Sequence, residues 1–162
     1  MIRWLVFIHI LSALTFFLAH GTSAAMAFQI RKETNIERIK AMLDLSNTTM
    51  ILMFISFLAL GLSGLTLPFL FRVWNTGWVW LSIALMLVVF FYMVFMNERA
   101  YKKLRKLVGL PYRAGNKELP AEPPASQEEI QAHIRSINVT LLVIIGFVIP
   151  AFVAWLMTFK PF

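Results

Sequence analysis

Residues 4–29 read WLVFIHILSALTFFLAHGTSAAMAFQ, a stretch with no Asp, Glu, Lys or Arg. A helix rises about 1.5 Å per residue, so roughly 20 apolar residues cross about 30 Å of hydrocarbon. The stretch is long enough to span with room to tilt. Two of the chain's three histidines, His9 and His20, lie inside it. Ionisable groups in a bilayer are costly, and each is by default a functional-site hypothesis.

Working outward, three further apolar runs follow at about 46–71, 78–97 and 137–159. A bilayer offers no water to backbone N–H and C=O groups, so spanning segments are helices or closed barrels, and four strands cannot close a barrel. The expected fold class is therefore all-α: a polytopic membrane protein with four transmembrane helices in an antiparallel bundle, a single membrane domain over 1–162. Composition agrees. Hydrophobic residues make up 59% and charged residues 14% of the chain, too few charges to clothe a soluble domain of this size. The absence of cysteine excludes disulfides, thiolate metal sites and cysteine nucleophiles.

Met1-Ile2-Arg3 followed by an apolar run and Thr22-Ser23-Ala24 raises the question of a cleaved signal peptide. The apolar part is too long for that, and removal would place the most basic loop outside. The first run is read as a retained span.

Charge sets the expected orientation. The loop between spans one and two carries Arg31, Lys32, Arg38 and Lys40. The loop between spans three and four carries Arg99, Lys102, Lys103, Arg105, Lys106, Arg113, Lys117 and Arg135. Only Arg3, Arg72 and Lys160 fall on the other side. The positive-inside rule then puts both termini outside, N-out and C-out, and both long loops in the cytoplasm. Trp4, Trp74, Trp78, Trp80 and Trp155 cluster toward the expected outer interface. A net charge of +7 would suggest nucleic acid in a soluble chain. Here the positive residues adjoin apolar spans, so the expected partners are membrane lipids and no nucleic acid. Arg99, Lys102, Lys103, Arg105 and Lys106 are the candidate headgroup contacts.

Helix ends are also readable. Thr34 with Glu37, and Ser126 with Glu129, have capping-box spacing, which starts helix two near Asn35 and helix four near Gln127. Asn75-Thr76-Gly77 reads as a tight outer turn. Helix three is expected to run on past Glu98 to Gly109, with Pro111 beyond it. Glu37 and Asp44 are then placed to face Arg99, Lys103 and Lys106 across two cytoplasmic stubs. Residues 109–125, rich in proline, read as an irregular, mobile linker.

His9 and His20 are eleven residues apart. At 100° per residue they return to within about 20° of one face, about 16 Å apart along the axis. Ser12, Ala13, Phe16, Ser23 and Ala27 share that stripe, which reads as the side turned to the bundle. Three readings stay open for the pair: hydrogen-bonded glue between helices, ligation of haem b or another metal by neutral imidazole, or a proton or ion path. Bis-histidine ligation lacks a partner, because His133 precedes the fourth span. Met53, Met86, Met157 or a second copy of the chain would have to complete a site. Elsewhere, Ala59-Leu60-Gly61-Leu62-Ser63-Gly64 permits close helix approach, and Pro150 cannot donate to the Gly146 carbonyl, so a bend is expected there. The spans hold no acid or base of the kind ion-coupled transporters use, and no nucleotide-binding, zinc-protease or serine-hydrolase motif is present.

At HILSALTFFLAHG, residues 9–21, the first span resembles a group of bacterial four-helix membrane families. They are an uncharacterised family of small integral membrane proteins, the copper-resistance D domain, and the membrane protoporphyrinogen oxidase that binds haem through a first-helix histidine. The uncharacterised family is similar in length and in its four-span layout. His9 and Gly21 carry the resemblance. His20 stands near those families' glycine, and Phe16 or Phe17 near their tryptophan. The resemblance implies a multi-pass protein of the bacterial inner membrane. The expected function is that of a non-catalytic bundle acting as a subunit or scaffold, as a homo-oligomer or within a membrane complex. The alternatives are a haem- or metal-binding redox protein using His9 and His20, and a small-solute transporter.

Overall fold

A computed structural model describes residues 2–114 and 117–162. The chain forms α1 (Ile2–Lys32), α2 (Ile36–Phe71), α3 (Gly77–Phe91), a π-helical turn (Tyr92–Asn97), α4 (Glu98–Leu107), the strands β1 (Tyr112–Ala114) and β2 (Lys117–Leu119), α5 (Gln127–Ser136), α6 (Val139–Val143), a second π-helical turn (Ile144–Val148) and α7 (Ile149–Phe159). Counting through the π turns, four helices are long and apolar enough to cross a membrane: Ile2–Lys32, Ile36–Phe71, Gly77–Leu107 and Val139–Phe159. Their outer faces carry large apolar side chains exposed from end to end, among them Leu14, Leu18, Ile51, Leu58 and Phe69. Such a continuous apolar surface is that of a membrane protein.

α2 has 36 residues and so is about 54 Å long, well beyond the hydrocarbon thickness. Its first turns pack with the end of α1 and with α4 at the basic end of the molecule. These ends, with α5, close a capping structure at the basic end. Its core is Ala27, Ile30, Ile39, Leu43, Leu104, Leu107, Val108, Ile130, Ile134, Ile137 and Val139. α5 is amphipathic and lays Ile130 and Ile134 into that core. From it Gln131 Nε2 donates to the Glu33 carbonyl at 2.9 Å, and Gln127 Nε2 to the Thr34 carbonyl at 3.4 Å, fixing the turn between α1 and α2.

Several local expectations need correcting. The cap of α2 is Asn35, not Thr34: Asn35 Oδ1 accepts from the Glu37 and Arg38 amides at 2.9 and 3.2 Å. A carboxamide directly before the first turn reaches both orphan donors, which leaves no role for the preceding threonine. Ser126 does cap α5, accepting from the Glu129 amide at 3.2 Å. The fourth helix is not continuous from Gln127. The chain leaves the helix at Ile137 (φ −75°, ψ 120°) and restarts under an Asn138 cap whose Oδ1 accepts from the Leu141 amide. α5 is thereby a separate arm. Residues 109–125 are not wholly irregular, for β1 and β2 pair antiparallel with Tyr112 opposite Leu119 and Arg113 opposite Glu118. Gly109 does end the third rod, at φ 78°, a left-handed conformation that favours glycine. Trp78 is turned into the bundle. It is buried with Val79 and Leu156 in the seam between α3 and α7.

α1 packs along α2, and α3 along α7. The contacts His9–Ser63, Phe16–Phe57 and Ser23–Thr49 mark the α1–α2 seam, with residue numbers rising on one helix as they fall on the other. The expected stripe on α1 is turned inward: Ser12, Phe16, His20 and Ala27 are all buried.

A candidate ligand cavity at His9 and a closed seat at His20

His9 is seated on α2. Its Nδ1 lies 3.0 Å from Ser63 Oγ, and its Cε1 would be only 3.1 Å from a Cβ at Gly64, so glycine there lets the ring come close. Ser63 Oγ also lies 2.6 Å from the Ala59 carbonyl oxygen. Two oxygens that close need a hydrogen between them, and the hydroxyl has only one. Ser63 therefore donates to Ala59 and accepts from His9. That assigns the proton of the neutral imidazole to Nδ1 and leaves a lone pair on Nε2.

His9 lines a cavity of about 460 Å³ bounded by α1, α2, α3 and α7. Ligand sites commonly enclose about 300–1,000 Å³ behind mostly apolar walls. The deep wall is made by the buried Phe16, Ser82 and Val153, and the rim by the exposed Leu14, Leu65 and Leu87. The mouth thus opens on the apolar flank of the bundle. Met86 and Met157 line this cavity as well.

His20 lies on the same face of α1 and has a different setting. It is 3% exposed, stacked on Phe16 (ring centroids 6.0 Å apart, planes 9° apart) and tilted against Phe147 at 5.2 Å. Its Nε2 is buried without a hydrogen-bond partner. A Cβ at Gly146 would stand 1.7 Å from that nitrogen, so only glycine leaves room for the imidazole. Gly146 occupies the π-helical turn Ile144–Val148, four residues before Pro150. Proline has no N–H to continue the α-helical ladder, and the widened turn absorbs the fault. His20 also borders a smaller pocket of about 70 Å³ with Ser23, Asn47, Met53, Tyr101 and Arg105. The two histidines therefore line separate cavities. Met53 belongs with His20, while Met86 and Met157 belong with His9.

The basic residues of the third rod divide. Arg105 Nη1 pairs with Asp44 at 2.9 Å and its Nε donates to the Pro111 carbonyl at 3.1 Å. Lys106 pairs with Glu122 at 3.4 Å and lies over the Tyr112 ring. Arg99 and Lys103 are exposed, and Lys102 is half-buried. Asp44 thus meets Arg105 instead of the bases expected opposite it, and Glu37 pairs with Lys40 on its own helix. His133 is tied to the protein, with Nε2 2.9 Å from the Ala100 carbonyl. Tyr112 donates to Glu122, and this bond, then Lys106, holds the Glu122 carboxyl below its ordinary value.

Sequence reading missed Ser63 as the partner of His9 and Phe147 as the lid of His20. The small-residue block 59–64 carried a signal for the first, since a serine between two glycines on a helix face marks a place where a ring can approach. Among the described residues, no group of three or more His, Asp and Glu is placed to hold a metal ion. No family model, curated protein or solved structure matches this chain.

Proposed function

We propose that this chain is a non-catalytic membrane-embedded binding subunit. Its four spans form an antiparallel bundle, N-out and C-out, in a bacterial inner membrane, and the bundle takes up an apolar molecule from the bilayer. The observation that carries this reading is the cavity of about 460 Å³ at His9, with its apolar wall and its rim of exposed leucines. The charge distribution supports the orientation. Arg99 and Lys103, exposed at the basic end, are suited to anionic headgroups. The test uses Gly61, which lines the cavity and has open space where a Cβ would stand. Gly61→Phe narrows the cavity without a clash at its base. Photo-crosslinking with a lipid-soluble diazirine should label cavity residues in the wild type and lose that label in Gly61→Phe. Equal labelling in both would rule out the reading.

A second reading is favoured by Met86 and Met157 on the wall that holds His9. Imidazole nitrogen and thioether sulfur are a known axial pair for haem b, and the lone pair on His9 Nε2 fits that donor set. Bound there, haem would supply one-electron chemistry, with Ser63 orienting the histidine. A Soret band in purified protein that vanishes in His9→Ala would support it. Colourless protein after expression with ample haem would end it.

A further inference from the structure

The polar side chains of the large cavity share a property that follows from where their hydrogens go. Besides His9, the wall carries Ser82 and Thr158. Ser82 Oγ donates to the Trp78 carbonyl at 2.7 Å, and Thr158 Oγ1 donates to the Ala154 carbonyl at 2.8 Å. The His9 Nδ1 hydrogen is committed to Ser63. Each of these groups has spent its hydrogen inside the protein and keeps only lone pairs for a ligand. The thioethers of Met86 and Met157 are weak acceptors too. Among the described residues, the side chains of the wall therefore offer acceptors and no donor.

From this we infer that the cavity selects an apolar molecule ending in a neutral hydroxyl, whose O–H donates to His9 Nε2, and disfavours the matching ether or ketone. The inference rests on the proposed uptake of a bilayer molecule and names its chemical class. Buried polar groups must be paired or they cost free energy. A hydroxyl pairs its hydrogen with the imidazole, and an oxygen acceptor left without a donor is tolerated better than an orphan hydrogen. A ketone brings a carbonyl and no hydrogen, so both it and the imidazole lone pair stay unpaired. A cationic head would need a carboxylate, and among the described residues no Asp or Glu lines the cavity.

The test compares the isoprenoid alcohol farnesol with farnesyl methyl ether. Equilibrium binding of each is measured to the full chain in phosphatidylcholine nanodiscs, relative to empty discs. The alcohol is expected to bind about two- to tenfold more tightly, the range of one net hydrogen bond. His9→Leu should erase that preference, and His9→Gln, which introduces an N–H into the cavity, should strengthen ether binding. Equal affinity of the wild type for both probes, lost in Gly61→Phe, would overturn the hydroxyl inference and leave the cavity reading standing. Binding that Gly61→Phe does not change, or no binding above empty discs, would overturn both. So would a Soret band showing that haem fills the site.

Discussion

His9 and His20 sit on one face of one helix, yet the fold treats them in opposite ways. His9 has a partner, a fixed tautomer and a cavity beside it. His20 has aromatic rings on two sides, a glycine at its edge and no partner for Nε2. An imidazole in a membrane span is therefore not one kind of feature. At His9 the seat spends one nitrogen and leaves the other open to a ligand. At His20 two aromatic rings and Gly146 are shaped around the imidazole, and only a small pocket of about 70 Å³ adjoins it.

The contrast can be broken most severely at Gly146. With a Cβ 1.7 Å from His20 Nε2, Gly146→Ala should destabilise the protein by about 3 kcal/mol, the upper end of ordinary overpacking. Thermal unfolding in detergent reads this, and adding His20→Ala should recover most of the loss. A Gly146→Ala protein as stable as the wild type would mean that the seat is not closed. Next in size is Ser63→Ala, which removes the acceptor at His9 Nδ1 while the Leu60 carbonyl stays beside the ring, and should cost about 1 kcal/mol. If that variant matches the wild type in chemical denaturation, the assignment of the His9 proton loses its basis.

His20→Leu probes the other side of the comparison and should act in the opposite direction. Replacing a buried, unpaired imidazole with a hydrocarbon should stabilise the fold by about 1 kcal/mol. Marked destabilisation would show that His20 has a partner of its own, which would bring the two sites closer in kind.

The smallest effect concerns acid and belongs only to the basic end. Glu33 Oε1 accepts from the Asn35 and Thr34 amides, and these bonds, in that order, hold its carboxyl below the ordinary value of 4.5. The unfolded chain takes up this proton more readily than the folded one. The stabilisation is present above about pH 4.5 and is lost as pH falls through the lower folded value. The stability gap between the wild type and Glu33→Gln should therefore narrow as pH falls below about 4.5. A gap that widens on acidification would contradict the direction assigned to Glu33.

The long-range order of the chain was legible because it rests on length and polarity alone. The four helices long and apolar enough to span, and the inward stripe on α1, follow from counting residues and turning a helical wheel. Local punctuation was legible in part. Ser126 and Gly109 act as their types suggest, but Thr34 and Asn35 are both good cap residues one position apart, and the choice depends on which side chain meets two amides at once. The break at Ile137–Asn138 lay hidden because an asparagine at the edge of a span reads as an interfacial residue as easily as a cap. The strands β1 and β2 lay in a stretch whose prolines suggest irregular chain. The sites themselves were the least legible. That His9 presents a lone pair depends on a hydrogen that Ser63 gives to Ala59. That His20 fits at all depends on a glycine 126 positions further along the chain.

The core at the basic end has a consequence in time. It draws on Ile30, Ile39, Leu104 and Ile130, so one side of it is absent until the last part of the chain has been made. Membrane helices can insert singly and associate afterwards. The first three can therefore enter the bilayer as the ribosome delivers them, with the hydrophobic ends of α1, α2 and α4 still bare. Arrival of α5 covers them, and its two glutamines fasten the turn that was synthesised first. A chain truncated before Gln127 would keep that end open, and a cell could distinguish it from the finished protein by cleavage there.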